Sequence, residues 1–279
     1  MSDKLKRAIF TALVCALGAQ ANEVFVLEPG ETLQARSIGS VPGAVKVRMF
    51  NATGHALVLT RSGDAWVHGE NAFGQLGLGH AERVDGWHRV QGLSGVRAIA
   101  AGAAHSVALL EDGTVWTWGA GHQGQLGHRA LLNESKPRQV QELKHAVAVA
   151  AGGFFTAVRT ADGSTWVFGS NWDGVATAHA EKILDAPVRL EAGGPKTEAH
   201  RLLELAEKEP WGEVEWGGGL LRSRAAGFTV TRDDATLFSR QAGLLDLFAD
   251  HTVAWVEAAE PLNAMKSGSG SSKLARASL

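Results

Sequence analysis

The chain has 279 residues, 45% hydrophobic and 20% charged, with 27 basic against 29 acidic side chains and a net charge of −2. That is enough chain to bury one or two cores without metals or disulfides, and the balance excludes a wholly disordered polypeptide. Glycine stands out: 34 residues beside 7 Pro, 9 Trp and no Tyr, about 12% against a usual share of roughly 7%, which predicts many tight turns between short strands and fits neither collagen nor a Pro-rich linker.

At the amino terminus Lys4, Lys6 and Arg7 precede an apolar run from Ala8 to Gly18, followed by Ala19, Gln20 and Ala21. A basic region, a short apolar region and a small-x-small site read as a secretory signal peptide over residues 1–21, since about eleven apolar residues are too few for a stable membrane span. The other reading is an amphipathic or strand-like terminus of a cytosolic protein. Cleavage after Ala21 would remove three basic residues and one acidic residue, leaving a charge of about −4. That sign offers nucleic acid and anionic lipid no general attraction. The expectation is a secreted or periplasmic protein, or in the alternative a cytoplasmic one. Cys15 is the sole cysteine and lies in this leader, so disulfides, thiolate nucleophiles and Cys-based zinc sites are excluded from a mature chain. Lipid attachment at Cys15 is disfavoured by the bulk of Val14 before it. No other stretch approaches eighteen continuous apolar residues, so no integral membrane segment is expected in the mature form.

From residue 54 a period of 50 governs the sequence. Ser62 to Gly69, Asp112 to Gly119 and Asp162 to Gly169 superimpose without a gap, which aligns Gly69 with Gly119 and Gly169, and Trp66 with Trp116 and Trp166. His55 and His105 hold equivalent places, with Phe155 third. Within the second unit Val96 to Ala100 alternates as a strand, Ala101-Gly102-Ala103 bends the chain, and His105 to Leu110 is a second strand. Asp112-Gly113 then reads as a two-residue primed hairpin turn before a third strand, Thr114 to Trp118. Lys136 to Leu143 supplies an outer edge strand or a loop. Four short strands per 50 residues make a small antiparallel sheet that cannot bury both faces alone, and radial stacking resolves that.

The fold class is therefore all-β: a β-propeller of four-stranded antiparallel blades, with three clear 50-residue repeats plus degenerate ones, forming five to seven blades or an incomplete ring. Residues 22–265 read as a single propeller domain. The segment Phe25 to Lys46 is placed as a closing strand beside the last blade, and Thr231 to Phe238 resembles a further turn and third strand. His251 to Glu257 resembles the His105 strand. Residues 197–209 read as a helical insertion between blades, capped by Thr197, with Leu202, Leu203 and Ala206 on one side, or else as part of a worn strand-bearing unit. Residues 266–279, rich in Ser and Gly, read as a disordered tail.

The run Gly69-Glu70-Asn71-Ala72-Phe73-Gly74-Gln75-Leu76-Gly77, its counterpart Gly119 to Gly127, and the upstream Ala100-Ala101-Gly102-Ala103-Ala104-His105-Ser106 resemble the regulator of chromosome condensation repeat, strongly over residues 45–130 and fairly to 175. The resemblance implies a propeller of about seven blades. It also implies three functions: nucleotide exchange on a small GTPase, chromatin binding, or inhibition of an exported enzyme by a related bacterial propeller. The leader and the acidic charge weigh against the first two, and no signature loop marks the third.

Residues that recur with the scaffold read as structural: His55 and His105 as ring hydrogen bonds to a backbone group of a neighbouring turn, Trp66, Trp116 and Trp166 as inter-blade core, and Gly69, Gly119 and Gly169 at the strand ends. The exceptions read as function: Phe73, Arg83, Asp85, Trp87, His88, His122, Arg129 and Trp172 as partner contacts, with Glu70, His80, Glu82, His128 and Asp173 beside them. No phosphate-cradling loop, HExxH or Gly-x-Ser-x-Gly is present, so no catalytic residue, metal or cofactor is assigned. The expected function is a non-enzymatic module that binds a protein partner, and no nucleic acid, through propeller loops. The alternatives are a guanine-nucleotide exchange or regulatory factor for a small GTPase, an inhibitor of an exported enzyme, and an enzyme with a central-channel site.

Overall fold

The structure is a computed structural model that describes residues 23–28, 34–49, 54–171 and 182–207, together with six strands between 213 and 256. The expected leader (1–21), the tail (266–279), Trp172, Asp173 and His251 lie outside the described residues.

Five four-stranded antiparallel sheets are present among the described residues. The first repeat sheet holds β3 (Ala44–Met49), β4 (His55–Thr60), β5 (Ala65–Gly69) and β6 (Val84–Arg89). The second holds β7 (Val96–Ala101), β8 (His105–Leu110), β9 (Val115–Gly119) and β10 (Glu134–Gln139). The third holds β11 (Ala146–Ala151), β12 (Phe155–Thr160), β13 (Thr165–Ser170) and β14 (Ile183–Arg189). A fourth follows as β15 (Glu213–Trp216), β16 (Gly219–Arg224), β17 (Gly227–Arg232) and β18 (Ala235–Gln241). The fifth closes on the amino terminus, in the order β19 (Leu244–Leu247), β20 (Val253–Val256), β1 (Glu23–Glu28) and β2 (Gln34–Ser40). Phe25 pairs with Trp255 across the β1–β20 ladder, so the first and last described strands share one sheet. Only β1 and β2 of the Phe25 to Lys46 segment do this, because β3 already belongs to the next blade.

Burial follows strand order. The second strand β8 is buried along almost its whole length, as a strand covered on both faces must be, whereas β10 alternates between half-buried and exposed and tolerates Pro137, which only an edge strand accommodates. The turn between the second and third strands differs from the expected two-residue form. Leu110 N–H donates to Thr114 O and Gly113 N–H to Leu110 O, enclosing three residues with a positive-φ glycine last. That geometry is a type I turn with a glycine bulge, and Asp112 Oδ1 closes it by accepting from Thr114 N–H at 2.9 Å. In the fourth sheet the Thr231 to Phe238 segment supplies the third and fourth strands, one place later than its sequence pattern implies, because Glu213–Trp216 enters ahead as an additional leading strand.

Helix α1 (Glu198–Glu207) packs on β11 and β12 of the third repeat. Ala199, Leu202 and Leu203 are buried there beside Phe155, and Ala206 is half-buried. Thr197 carries the amino end differently from a simple cap: its N–H donates to His200 Nδ1 at 3.2 Å, the reach-back half of a capping box.

The three Trp at period 50 are only half-buried and lie at the margins of the apolar clusters. The buried aromatics stand two residues later, at Trp118 and Phe168, each fully enclosed. They face back toward the preceding blade, where a Cβ added at Gly77 (φ +69) would lie 2.8 Å from Trp118 Nε1 and one at Gly127 (φ +70) 2.8 Å from Phe168 Cδ2. Gly77→Ala is therefore expected to cost about 2 kcal/mol or more, against about 1 kcal/mol for Gly163→Ala, where only the positive φ is penalised and nothing lies within 4 Å of the added carbon. Urea unfolding of the two variants checks the difference.

Candidate protein interface

In a four-stranded antiparallel blade the first-to-second and third-to-fourth connections leave the sheet at the same end. The β7–β8 and β11–β12 loops therefore share one face of the molecule with the long β5–β6 and β9–β10 loops. Four exposed large hydrophobics stand out among the described residues: Phe73 at 41%, Leu131 at 46%, Leu132 at 69% and Phe154 at 46%. All four lie in these loops. The opposite face, made of the Asp-Gly turns and the fourth-to-first connections, carries none of them.

These loops are held rigidly. Asn71 is buried; its Nδ2 donates to the carbonyls of His80 and Glu82 at 3.1 and 2.7 Å, and its Oδ1 accepts from Leu76 N–H at 3.0 Å. Gly121 occupies the equivalent place in the next loop, and there Asn133 supplies the bond instead, its Oδ1 accepting from Gly121 N–H at 3.1 Å. Gln75 and Gln125 each fold back to accept a loop N–H, from Phe73 at 2.9 Å and Gln123 at 2.8 Å. The residue that projects from the first loop, Phe73, meets His122 of the second with ring centroids 5.9 Å apart.

Each loop is also anchored to the following blade. Ser106 Oγ donates to Gln75 O at 2.8 Å, and Thr156 Oγ1 donates to Gln125 O at 2.8 Å. Each hydroxyl has then spent its one proton, so the histidine nitrogen facing it must be the donor: His55 Nε2 to Ser106 at 2.8 Å and His105 Nε2 to Thr156 at 3.0 Å. The expected bond from histidine to backbone thus runs through a hydroxyl of the next blade. Phe155 ends the series because α1, rather than a strand bearing a hydroxyl, packs beside it. Gly69, Gly119 and Gly169 close the third strands at φ +107, +102 and +116, where a Cβ would lie 2.4 to 2.5 Å from a loop carbonyl oxygen.

The remaining sequence-assigned residues divide. Arg83 lies in the β5–β6 loop and pairs with Glu70. Arg129 adopts φ 58, pairs with Glu142 at 2.7 Å, and its N–H donates to Asp185 O of the third repeat at 2.8 Å. His128 is turned inward on Thr117 at 3.0 Å, and burial lowers its pKa. Asp85 and His88 are exposed on β6, with His88 Nε2 donating to Asp85 O at 3.0 Å. Trp87 sits apart from the loop face: its indole N–H donates to Ile38 O at 2.8 Å and its ring packs on the apolar cluster between blades. Leu131, Leu132 and Phe154 escaped the sequence reading. Their signal was departure from the repeat, since Ala81, Glu82 and Ala104 stand at the equivalent positions. Among the described residues no group of three His, Cys, Asp or Glu could hold a metal, and no helix is long and apolar enough to cross a membrane.

Complete burial pushes His55 down to about 4 and His105 to about 3, from an ordinary 6.5. Between those limits the unfolded chain binds more protons than the fold, so the contribution of the two rings is fully present above about pH 6.5 and is lost as pH falls toward 4 and 3. Unfolding free energy is expected to drop between pH 7.5 and 5 by roughly 2 kcal/mol per histidine. His105→Phe is expected to cost about 1–2 kcal/mol at pH 7.5 and to remove about half of that pH dependence, which chemical denaturation at the two pH values measures.

A model of the regulator of chromosome condensation (RCC1) repeat matches residues 62–109 and 112–159, and a second RCC1 repeat model matches residues 96–125. No curated protein matches the chain in sequence. Among solved structures, human WBSCR16 is 20% identical, with TM-score 0.51 over 87% of this chain. Yeast RCC1 (Prp20), solved bound to Kap60, is 15% identical, with TM-score 0.51 over 85% of this chain. The chain spans 58% and 62% of the lengths of those two proteins. The expected secreted or periplasmic location and the signal-peptide reading behind it are corrected by these comparisons: the likeness found is to yeast RCC1 (Prp20) in complex with Kap60, and to no exported protein among those named here. Four-stranded blades, the repeat spacing and the matched models agree: residues 62–159 carry RCC1 repeats, in a propeller-like architecture.

Proposed function

We propose that this protein is a protein-binding propeller of the GTPase-regulatory kind, which docks its partner on the face formed by the β5–β6, β9–β10, β7–β8 and β11–β12 loops. The observation that carries the reading is the confinement of Phe73, Leu131, Leu132 and Phe154 to that face. Exposed apolar side chains on rigid loops are the usual anchors of a protein interface, because they bury much area at little entropic cost. The charges around them are largely paired within the chain, as in Glu70 with Arg83 and Arg129 with Glu142, which leaves the apolar side chains as the principal unsatisfied surface. Family likeness supports a regulator of a small GTPase over an inhibitor of an exported enzyme, and the yeast relative was itself solved with a protein partner.

The test uses purified small GTPases from the source organism, loaded with fluorescent guanine nucleotide. One of them is expected to bind, with nucleotide release accelerated. The double variant Phe73→Ser, Phe154→Ser should weaken that binding at least about tenfold while leaving the unfolding midpoint in place. Binding that survives the double variant would place the partner elsewhere on the propeller. Absence of binding to any GTPase would contradict the GTPase assignment.

A further inference from the structure

We infer that Trp87 is the latch that pins the closing sheet to the first repeat sheet. The argument is independent of the docking face and starts from what the other blade junctions use. Between the first and second repeats, the Trp118 indole N–H donates to Gln75 O at 2.9 Å, and Ser106 donates to the same carbonyl. Between the second and third, Phe168 packs against Gly127 and Thr156 bonds Gln125 O. Loop to edge-strand backbone bonds reinforce both junctions: Gly79 N–H to Ser135 O and Arg129 N–H to Asp185 O, each 2.8 Å.

The first repeat sheet cannot build this junction toward the closing sheet. At the position of Trp118 and Phe168 it has His68, and at the position of Ser106 and Thr156 it has Ala56. Both the buried aromatic and the hydroxyl donor are missing. His68 instead stays half-buried, and its Nδ1 donates to Gly86 O at 2.9 Å.

Trp87 makes up the deficit from a different strand. It occupies the position on β6 at which the other repeats carry Pro137 and Pro187 on their edge strands. Its ring lies 5.3 Å from that of His68. Its indole donates to Ile38 O of β2 at 2.8 Å, and it passes so close to Gly39 that a Cβ there would lie 3.2 Å from Trp87 Cδ1. The same ring covers a cluster joining Val24 and Ile38 of the closing sheet to Val47, Ala56 and Val58 of the first repeat. One side chain thus supplies both the aromatic packing and a carbonyl bond, without the second, hydroxyl donor that Ser106 and Thr156 add at the other junctions. Because β1 pairs with β20 in the closing sheet, releasing Trp87 frees that sheet where it meets the first repeat sheet.

Hydrogen exchange read by mass spectrometry on the full chain tests this. Trp87→Ala is expected to accelerate exchange in residues 34–40 and 84–89 at least tenfold while leaving 105–119 unchanged. Trp87→Phe keeps most of the packing without the N–H, so it should show the same selectivity with a smaller increase, and it decides the matter if the alanine variant does not fold. Unchanged exchange in 34–40, as for a tryptophan that serves only a partner, would overturn the inference. So would acceleration spread equally over 105–119.

Discussion

Two backbone carbonyls, those of Gln75 and Gln125, fix how consecutive blades meet. A buried carbonyl without a donor is costly, so the loop that carries it is stable only where the neighbouring blade brings one. Ser106 and Thr156 bring it, and each hydroxyl is aimed by a histidine from the blade before. One relay therefore involves the second strands of two blades and the loop lying between them. The 50-residue period follows from it: a hydroxyl must fall 51 residues after the histidine and 31 after the glutamine if every junction is to close alike.

This arrangement separates structure from recognition along a single loop. The inner part, Asn71 and the Gly-Gln-Leu-Gly turn, is bound into the junction, whereas Phe73 at the tip and Leu131 and Leu132 at the far end stay outside. A tip held by buried hydrogen bonds loses little further freedom on binding, and apolar side chains there gain most from being covered. The scaffold also accounts for the opposite face, where Asp112 and Asp162 are occupied in closing their own turns and are held below the usual carboxylate range by Thr114 and by Thr160 and Ser164.

The repeat was legible because its residues meet the same kind of neighbour at each junction between the three repeat sheets. Strand order, turn positions and the paired histidines all showed in the spacing. What did not show was any interaction that crosses between repeats with a changed partner. Nothing in the local pattern indicates that His55 reaches Ser106, since 51 residues separate them. Trp87 read as a partner contact in a loop, whereas it lies on the edge strand β6, and only the position of Ile38 reveals it as a junction residue. The half-buried Trp66, Trp116 and Trp166 were conspicuous by periodicity, yet the enclosed aromatic lies two residues on, where the first repeat has His68 and the regularity breaks. Phe154, Leu131 and Leu132 were hidden for the opposite reason: an apolar residue in a β-rich sequence reads as core until its loop is placed on the surface.

The account rests on the histidine and hydroxyl acting as one unit across the junction, and a double-mutant cycle on His55→Ala and Ser106→Ala measures that directly. If the relay holds the blades together, unfolding free energies at pH 7.5 will show a coupling of about 1–2 kcal/mol between the two sites. Purely additive losses would mean that each side chain only fills space in its own blade, and would contradict the central claim.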